Sequence, residues 1–346
     1  IQAAYGGSKV QPFIDPACMA GDPVLEAYRE EMAGAEAARP DGIEAVAIVT
    51  PNHVHGPAAA AFLRRGIHVI CDKPLTATMA QAAELEAAIR ASSALFILTH
   101  NYTGYPMIRQ ARAMIEAGDL GAIRVVQVEY AQDWLTEAAE TTGTNKQAEW
   151  RTDPDRSGAG GSIGDIGTHA HNLACFVTGL TVEKLSADLQ SFVPGRRVDD
   201  NAHVLLRFHD GARGMLWCSQ VAPGNENALR LRVYGEKGGL EWAQEDPNYL
   251  WFTPFGEPKR LLTRRGAGAT DAANAVSRTP GGHPEGYLEG FANIYAGAAR
   301  AIRAAQAGQR DPVLDLLPGL EEGLAGMHFI DACIRSSRDN AAWVAM

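Results

Sequence analysis

The chain has 346 residues, of which 46% are apolar and 21% charged, and its formal net charge at pH 7 is −10. This length fits two domains better than one core, and the composition excludes a disordered or fibrous protein. A negative net charge gives no general attraction to nucleic acid or anionic lipid, and no uninterrupted apolar stretch approaches the roughly 18 residues that cross a bilayer. We therefore expect a cytoplasmic protein with neither a nucleic-acid nor a membrane partner.

The five cysteines are odd in number, widely spaced and without a C-x-x-C pair. This pattern predicts neither a disulfide framework nor a zinc site. We expect reduced, mostly buried thiols at all five positions, which are Cys18, Cys71, Cys175, Cys218 and Cys333.

The first half of the chain alternates short apolar runs with Ala-rich helical stretches. Strands are predicted at 43–49, 67–71 and 94–99, and helices at 57–66, 79–92 and 106–118. Continuous apolar strands separated by helices indicate a parallel sheet that is covered on both faces.

The second half of the chain has a different pattern of apolar and polar residues. Its candidate strands alternate only partially and are separated by turn signals such as "HDG" and "GEKGG", which predicts a mainly antiparallel sheet. Helices are expected at about 284–306 and 317–336, and a long loop at 264–282. We place the domain boundary near residue 120, between a domain of residues 1–120 and a domain of residues 121–346.

Polar side chains follow each of the three strands of the first half. The segments are "TPNHVH" (50–55), "DKP" (72–74) and "HNYTGYP" (100–106). In an open parallel sheet, ligands bind outside the carboxyl ends of the strands, so these segments predict a binding site. Alternatively, the polar residues cap helices and the prolines end strands.

Lys73 is the strongest single candidate for a chemical role among these segments. A lysine between an acidic residue and a proline, at the mouth of a buried strand, suits proton handling or the polarisation of a carbonyl. The alternative is an exposed lysine at a turn.

The stretch "SIGDIGTHAHN" (162–172) carries a second set of polar groups. Asp165, His169 and Asn172 share one face if the stretch is helical, and Asp165 could orient or charge-stabilise His169 as a general acid/base. A metal site would need a third ligand at metal spacing, but His171 points to another face, so no metal is expected. A core histidine is the remaining alternative.

Four motifs, "VTPNHVH", "CDKP", "EWRTDP" and "GDIGTHAHN", resemble in order and spacing those of the Gfo/Idh/MocA family of nicotinamide-dependent sugar and inositol dehydrogenases. The resemblance runs from about Asp41 to the end, and "GGHPEG" (281–286) is similar to a longer-chain branch of the family. It implies an α/β fold: a Rossmann-like parallel-sheet domain for dinucleotide binding, then an α+β domain with a large, mainly antiparallel open sheet. That second domain would bind substrate and form a homodimer or homotetramer through its sheet.

The resemblance also implies roles for individual residues. Lys73 matches the lysine of the family's E-K-P motif, and Asp165 and His169 match its D-x-G-x-H-x-x-D motif, so these three would be catalytic. NAD or NADP would be bound by Thr50, Pro51, Asn52, His55, Asp72, Lys73, Pro74, Asn101, Trp150 and Arg151. Substrate would be contacted by Lys73, Tyr102, Asn172 and His283.

Three features depart from the family pattern. Asp72 stands where the family has glutamate, and Asn172 stands where many members have aspartate. The first 41 residues contain no strand followed by G-x-G-x-x-G, although "YGGSK" (5–9) could be a remnant of it. We therefore expect a Rossmann-like domain that is atypical or incomplete at its N-terminus.

The leading hypothesis is an oxidoreductase that moves a hydride between a secondary alcohol of a sugar, glycoside or inositol and a nicotinamide. His169 would take the hydroxyl proton, Asp165 would steady the imidazolium, and Lys73 would hydrogen-bond the same oxygen. The alternative is a catalytically inactive scaffold of this type that binds sugars or another protein. The missing glycine fingerprint favours the alternative, and the three intact catalytic groups oppose it.

Overall fold

The computed structural model describes residues 23–346. In its first half, three strands form a parallel sheet in the order β1-β2-β3. They are β1 (Ala45–Ile48), β2 (His68–Cys71) and β3 (Phe96–Leu98), and the helices are α1 (Pro23–Ala37), α2 (Asn52–Leu63), α3 (Met79–Ala91) and α4 (Pro106–Glu116). The predicted parallel sheet is confirmed, while the "YGGSK" segment lies outside the described residues.

The first sheet is covered on both faces, which explains why β2 is buried along its whole length. On one face, the Ala-rich helix α2 packs closely because its small side chains let the backbones approach. On the other face, Ile70 and Ile97 pack against Ile294 and Ala298, which belong to a helix near the C-terminus. The end of the chain therefore returns to complete the core of the first sheet.

The second half forms a nine-stranded sheet in the order β11-β10-β9-β8-β4-β7-β6-β5-β12. In the described part of the chain, only β4 and β7 pair in parallel within this sheet. Its strands are β4 (Ile123–Ala131), β5 (Val182–Gln190), β6 (Asn201–Phe208), β7 (Arg213–Ser219), β8 (Ala228–Gly235), β9 (Gly238–Ala243), β10 (Tyr249–Pro254), β11 (Arg260–Thr263) and β12 (Val344–Ala345). The mainly antiparallel sheet is thus confirmed; β11 and β12, two short strands at its edges, were not predicted.

The helices of the second half lie on one face of this sheet and around the site. They are α5 (Lys146–Arg151), α6 (Pro154–Ser157), α7 (Thr168–Thr178), α8 (Asp271–Ala275), α9 (Tyr287–Gln306) and α10 (Leu320–Arg338). A π-helical turn, Ile163–Gly167, leads directly into α7. Helix α8 corrects the expected loop at 264–282, because the Thr270 side chain accepts a hydrogen bond from the Ala273 amide and caps a short helix.

Two expectations from composition concern the thiols and the absence of membrane-spanning segments. Four cysteines lie in the described residues without a disulfide; three are buried and Cys175 is partly buried. Cys18 lies outside that part of the chain. None of the described helices combines the length and apolar character that crossing a membrane requires.

Candidate active site at the carboxyl ends of the parallel strands

A cavity of about 410 Å³ lies where the carboxyl ends of β2 and β3 meet the start of α7. The first half of the chain contributes Asp72, Lys73, Thr99, Asn101 and Tyr102 to its wall. Arg151, Asp165 and His169 come from α5 and the α7 region, and Tyr287 and Phe291 from α9. The structure therefore brings together residues from motifs that are far apart in sequence.

Lys73 and Asp165 form the central ion pair of the cavity. The Lys73 ammonium donates to the Asp165 backbone oxygen at 2.6 Å and to Oδ1 at 2.7 Å. Gln220 Nε2 donates to Oδ2 at 2.9 Å, and Arg151 Nε lies 3.4 Å from the same oxygen. Burial by itself would raise the pKa of Asp165, but the charges of Lys73 and Arg151 hold that pKa well below its usual range. The carboxyl group is therefore ionised at neutral pH.

This pairing corrects the expectation that Asp165 orients the imidazole of His169. No hydrogen bond joins these two side chains, because both carboxylate oxygens are turned toward Lys73, Gln220 and Arg151. Burial and the charge of Lys73 lower the pKa of the imidazole, and the charge of Asp165 offsets part of that lowering. The geometry therefore agrees with stabilisation of a charged His169 by Asp165, and it does not agree with orientation of the imidazole by a hydrogen bond to Asp165.

Aromatic rings hold His169 instead. Its ring meets the edge of Tyr102 at a centroid distance of 5.0 Å and that of His100 at 5.5 Å. Its Nδ1 atom is buried and has no hydrogen-bond partner among the described residues. Burial, followed by the charge of Lys73, lowers the pKa of His169 well below its ordinary value. The imidazole is therefore neutral at pH 7 and can accept a proton.

His55 and Asn52 hold the strand ends together. The two ring nitrogens of His55 lie 2.9 Å from the backbone oxygens of Thr50 and Pro74, so this buried side chain ties the segment after β1 to the "DKP" segment. Asn52 Nδ2 donates to the backbone oxygen of Ser157 at 2.8 Å. Both side chains tie segments of the protein together, and their expected contacts with a cofactor stay predictions.

The same edge of the sheet keeps polar atoms that fit a nicotinamide nucleotide. Thr50 Oγ1 and Asn101 Nδ2 are buried without a hydrogen-bond partner among the described residues, and buried polar atoms normally have one. Thr50 follows β1 and Asn101 follows β3, so a dinucleotide lying along the strand ends would satisfy both. Asp72, which follows β2, accepts a hydrogen bond from Thr99 at 2.5 Å.

Three other predicted site residues lie outside the cavity wall. Trp150 supports Arg151, whose guanidinium lies 4.2 Å from the indole centroid. Asn172 is buried one helical turn beyond His169, deeper along α7 than the cavity reaches. His283 is exposed, because its loop is folded around Arg264, which donates to the His283 backbone oxygen. Neither Asn172 nor His283 lines the cavity, and their expected substrate contacts stay predictions.

Several residues of the cavity wall were not predicted from the sequence. Tyr130, Gln132 and Trp134 line it from the end of β4 and the segment after it, and Asn227 precedes β8. Three polar or aromatic residues at alternate positions in "YAQDW" share one side of an extended segment, so that spacing was an available signal. No local signal distinguishes Asn227.

Comparisons with known proteins agree with this architecture. Residues 16–100 match the oxidoreductase family described as an NAD-binding Rossmann fold, and residues 108–241 match the GFO/IDH/MocA C-terminal domain. The uncharacterized oxidoreductase YfiI of Bacillus subtilis (strain 168) is 36% identical over 319 residues, which cover 91% of this chain and 81% of that protein.

Solved structures are similar over most of the chain. An oxidoreductase from Sinorhizobium meliloti has 63% sequence identity and a TM-score of 0.82, covering 91% of this chain and 83% of that one. An inositol dehydrogenase homolog complexed with NAD+ from Azotobacter vinelandii has 34% identity and a TM-score of 0.86, covering 92% and 82%. That homolog has also been solved with NADH and myo-inositol. The chain therefore belongs to the GFO/IDH/MocA family of oxidoreductases and contains its NAD-binding Rossmann-fold domain.

Proposed function

We propose that the protein is an NAD-dependent dehydrogenase that acts on a secondary alcohol of a sugar, glycoside or inositol. The observation that carries the proposal is a single cavity lined by the Lys73–Asp165 pair and by His169. The nicotinamide, when bound, supplies the chemistry of accepting or donating the hydride. Thr50, Asp72 and Asn101 would hold it along the strand ends.

His169 is the base in this proposal. A neutral imidazole that lines the cavity can take the hydroxyl proton of the alcohol as its carbon is oxidised. The nearby carboxylate of Asp165 favours the imidazolium that results.

Lys73 holds the alcohol oxygen. An ammonium group has three hydrogens, and two of those on Lys73 are directed to Asp165. The third is free to donate to the alcohol oxygen, which gains negative charge as the proton leaves. Asp165 keeps the ammonium group in place and is a positioning residue in this respect.

We further propose that a second copy of the chain covers the open face of the nine-stranded sheet. On this face, paired residues on seven adjacent strands form one continuous row across the sheet. The residues at both ends of the row are apolar, and those in its centre are polar or charged. The row consists of Leu205, Met215, Gln127, Arg232, Glu241, Trp251 and Leu261. Leu205 is 53% exposed and Trp251 41% exposed, and exposed apolar groups of this size favour association. Sedimentation velocity should give a dimer or tetramer; a monomer at micromolar concentration would refute the proposal.

Cofactor and substrate are tested in two steps. Titration with NADH and with NADPH, followed by quenching of the six tryptophans, should give saturable binding of NADH. NAD reduction is then measured with myo-inositol, free pyranoses and methyl pyranosides. A folded protein that binds neither nucleotide would contradict the proposal and favour the sugar-binding scaffold.

A further inference from the structure

Five side chains on one side of the cavity form a continuous row of hydrogen bonds, which we call the polar wall. Trp134 Nε1 donates to Gln132 Oε1 at 3.0 Å, and Gln132 Nε2 donates to Asn227 Oδ1 at 2.7 Å. Tyr130 Oη lies 2.8 Å from the same Asn227 oxygen, and Tyr102 Oη lies 2.5 Å from Tyr130 Oη. All five residues line the cavity.

The direction of every bond in the polar wall follows from Trp134. An indole N–H can only donate, so the oxygen of Gln132 faces it and the amide nitrogen of Gln132 faces Asn227. Asn227 must then present its oxygen, which only accepts. Tyr130 has one hydrogen and uses it on that oxygen.

The hydrogen between the two tyrosines therefore comes from Tyr102. Because its one hydrogen is directed to Tyr130, the Tyr102 oxygen can offer a ligand nothing but lone pairs. A hydroxyl group of a ligand can donate to it. A phosphate or carboxylate oxygen, which has no hydrogen, is repelled.

The charges of the cavity point the same way. Its two cationic side chains among the described lining residues, Lys73 and Arg151, both lie within ion-pair distance of Asp165, at 2.7 and 3.4 Å. An acidic ligand would therefore meet no cation free of a carboxylate. Asp72, also in the wall of the cavity, adds a second negative charge.

We propose that the polar wall is a specificity-determining subsite that receives a hydroxyl hydrogen at Tyr102 Oη and selects neutral polyols over their phosphate esters and acids. The inference rests on the proposed function for the class of ring that enters the cavity. Trp134, Gln132, Asn227 and Tyr130 are positioning residues in it, since they set the direction in which Tyr102 can bond.

The first experiment compares Tyr102→Phe with Tyr105→Phe. Tyr105 is a matched control because it is three residues away and fully buried, and it lies outside the cavity wall. Its hydroxyl reaches the polar wall only through Gln244, which accepts from Asn227 Nδ2, so its loss leaves the bond directions set by Trp134 unchanged. Dissociation constants for myo-inositol are measured by calorimetry on the protein loaded with NADH. Tyr102→Phe should bind about tenfold more weakly, as the loss of one hydrogen bond predicts, and Tyr105→Phe should bind as the wild type does.

The second experiment reverses the direction of the wall with Gln132→Glu. A carboxylate at this position still accepts from Trp134, but it needs a donor from Asn227. The Asn227 amide must then turn over together with the amide of Gln244, whose oxygen accepts from Asn227 Nδ2 at 3.0 Å in the wild type. Tyr130 then accepts from Asn227 and donates to Tyr102, and the Tyr102 hydrogen is freed for the ligand. The probes are myo-inositol and its mono-deoxyfluoro analogues, which lack one hydroxyl hydrogen.

The wild type should bind at least one fluoro analogue about tenfold more weakly than myo-inositol. In Gln132→Glu, the ratio of these two dissociation constants should move toward one. A purely structural role would weaken all probes alike. The wild type should also bind myo-inositol phosphates about 100-fold more weakly than myo-inositol.

The outcomes separate this inference from the proposed function. One outcome would overturn the inference and leave the proposed function intact. In that outcome the protein reduces NAD with myo-inositol, but the ratios of the dissociation constants for the probes are the same in the wild type and in both variants of the polar wall. Tyr102-dependent binding without NAD reduction would support the inference and refute the proposed function. Absence of binding to any probe, or tight binding of the phosphates, would overturn the inference.

Discussion

Lys73 and Asp165 are 92 residues apart in sequence, yet the ammonium group of one donates to both the backbone and the side chain of the other. Lys73 follows β2 of the parallel sheet, and Asp165 lies in the π-helical turn before α7. The pair therefore joins the two halves of the chain at the cavity. Its side chains are only 16% and 22% exposed, so water screens it less than an exposed pair.

The first prediction concerns the energy of this pair. Lys73→Met and Asp165→Asn should each lower the free energy of unfolding by about 1–3 kcal/mol, because each leaves a partly buried charge without its partner. The double variant should lose less than the sum of the two losses, with a coupling energy of about 1–2 kcal/mol. Urea denaturation of the four proteins measures it. The exposed pair of Glu86 and Arg90 is the control cycle, expected below about 0.5 kcal/mol; equal coupling in both cycles would contradict the prediction.

The second prediction concerns His169. His169→Ala should lower kcat by about 10²- to 10⁴-fold, the range for loss of a general base, and should leave the dissociation constant for NADH within about threefold of the wild type. The hydride-accepting nucleotide lies along the strand ends in the proposal, so its affinity depends on other residues. Steady-state kinetics and fluorescence titration measure the two quantities. A loss of NADH affinity as large as the loss of turnover would contradict the assigned role.

The third prediction concerns acid stability. Burial lowers the pKa of His100 to about 3 and that of His171 to about 4, whereas an unfolded histidine titrates near 6.5. Between these values the unfolded chain binds protons that the folded chain does not, so stability is full above pH 6.5 and is lost as the pH falls. Each histidine should lower the free energy of unfolding by about 2 kcal/mol between pH 8 and pH 5.

His171→Gln tests this dependence. Denaturant unfolding at several pH values should give a slope reduced by the contribution of one histidine. His283→Gln, at an exposed position, is the control and should keep the wild-type slope. An unchanged slope in His171→Gln would show that burial of this imidazole does not govern the acid lability.

The fourth prediction concerns the close approach of Gly104 to Gly290. A Cβ atom at Gly104 would lie 2.3 Å from the backbone oxygen of Gly290 in α9, and this backbone cannot move without displacing Tyr287 and Phe291 from the cavity. Gly104→Ala should lower the free energy of unfolding by about 1–3 kcal/mol, as overpacking does.

Gly34→Ala is the matched control for that variant. Gly34 lies in α1, and among the described residues the atom nearest to an added Cβ is Arg65 Nε, 3.9 Å away. The alanine should be neutral or stabilise the helix by up to about 1 kcal/mol. The unfolding temperatures of both variants test this prediction. A Gly104→Ala protein as stable as the wild type would show that α9 can shift away from the added methyl group at little cost in free energy.

The periodicity of the sequence predicted most of the regular elements. Strands β1 to β3 are short, continuous apolar runs between helices. Such strands can be predicted from the sequence because a strand that is buried on both faces carries apolar residues at successive positions. Strands β11 and β12 and helix α8 have two to five residues each, and their stability comes from edge pairing or a cap. Local patterns that short do not stand out from a loop.

The sequence by itself determined which groups are available for chemistry. Motif order and spacing identified Lys73, Asp165 and His169, and the structure brings them to one cavity. Motifs can do this because strand ends converge at one edge of a parallel sheet.

Only the tertiary structure decided which partners these groups take. Asp165 was expected to orient His169, four residues away, but Lys73, Arg151 and Gln220 reach it from distant segments. The same holds for Asn227, which precedes β8 and whose oxygen accepts hydrogen bonds from Tyr130 and Gln132, about 95 residues away in sequence. Hydrogen bonds and ion pairs depend on distances of a few ångströms between atoms, and for residues far apart in sequence those distances arise only when the two halves of the chain pack together.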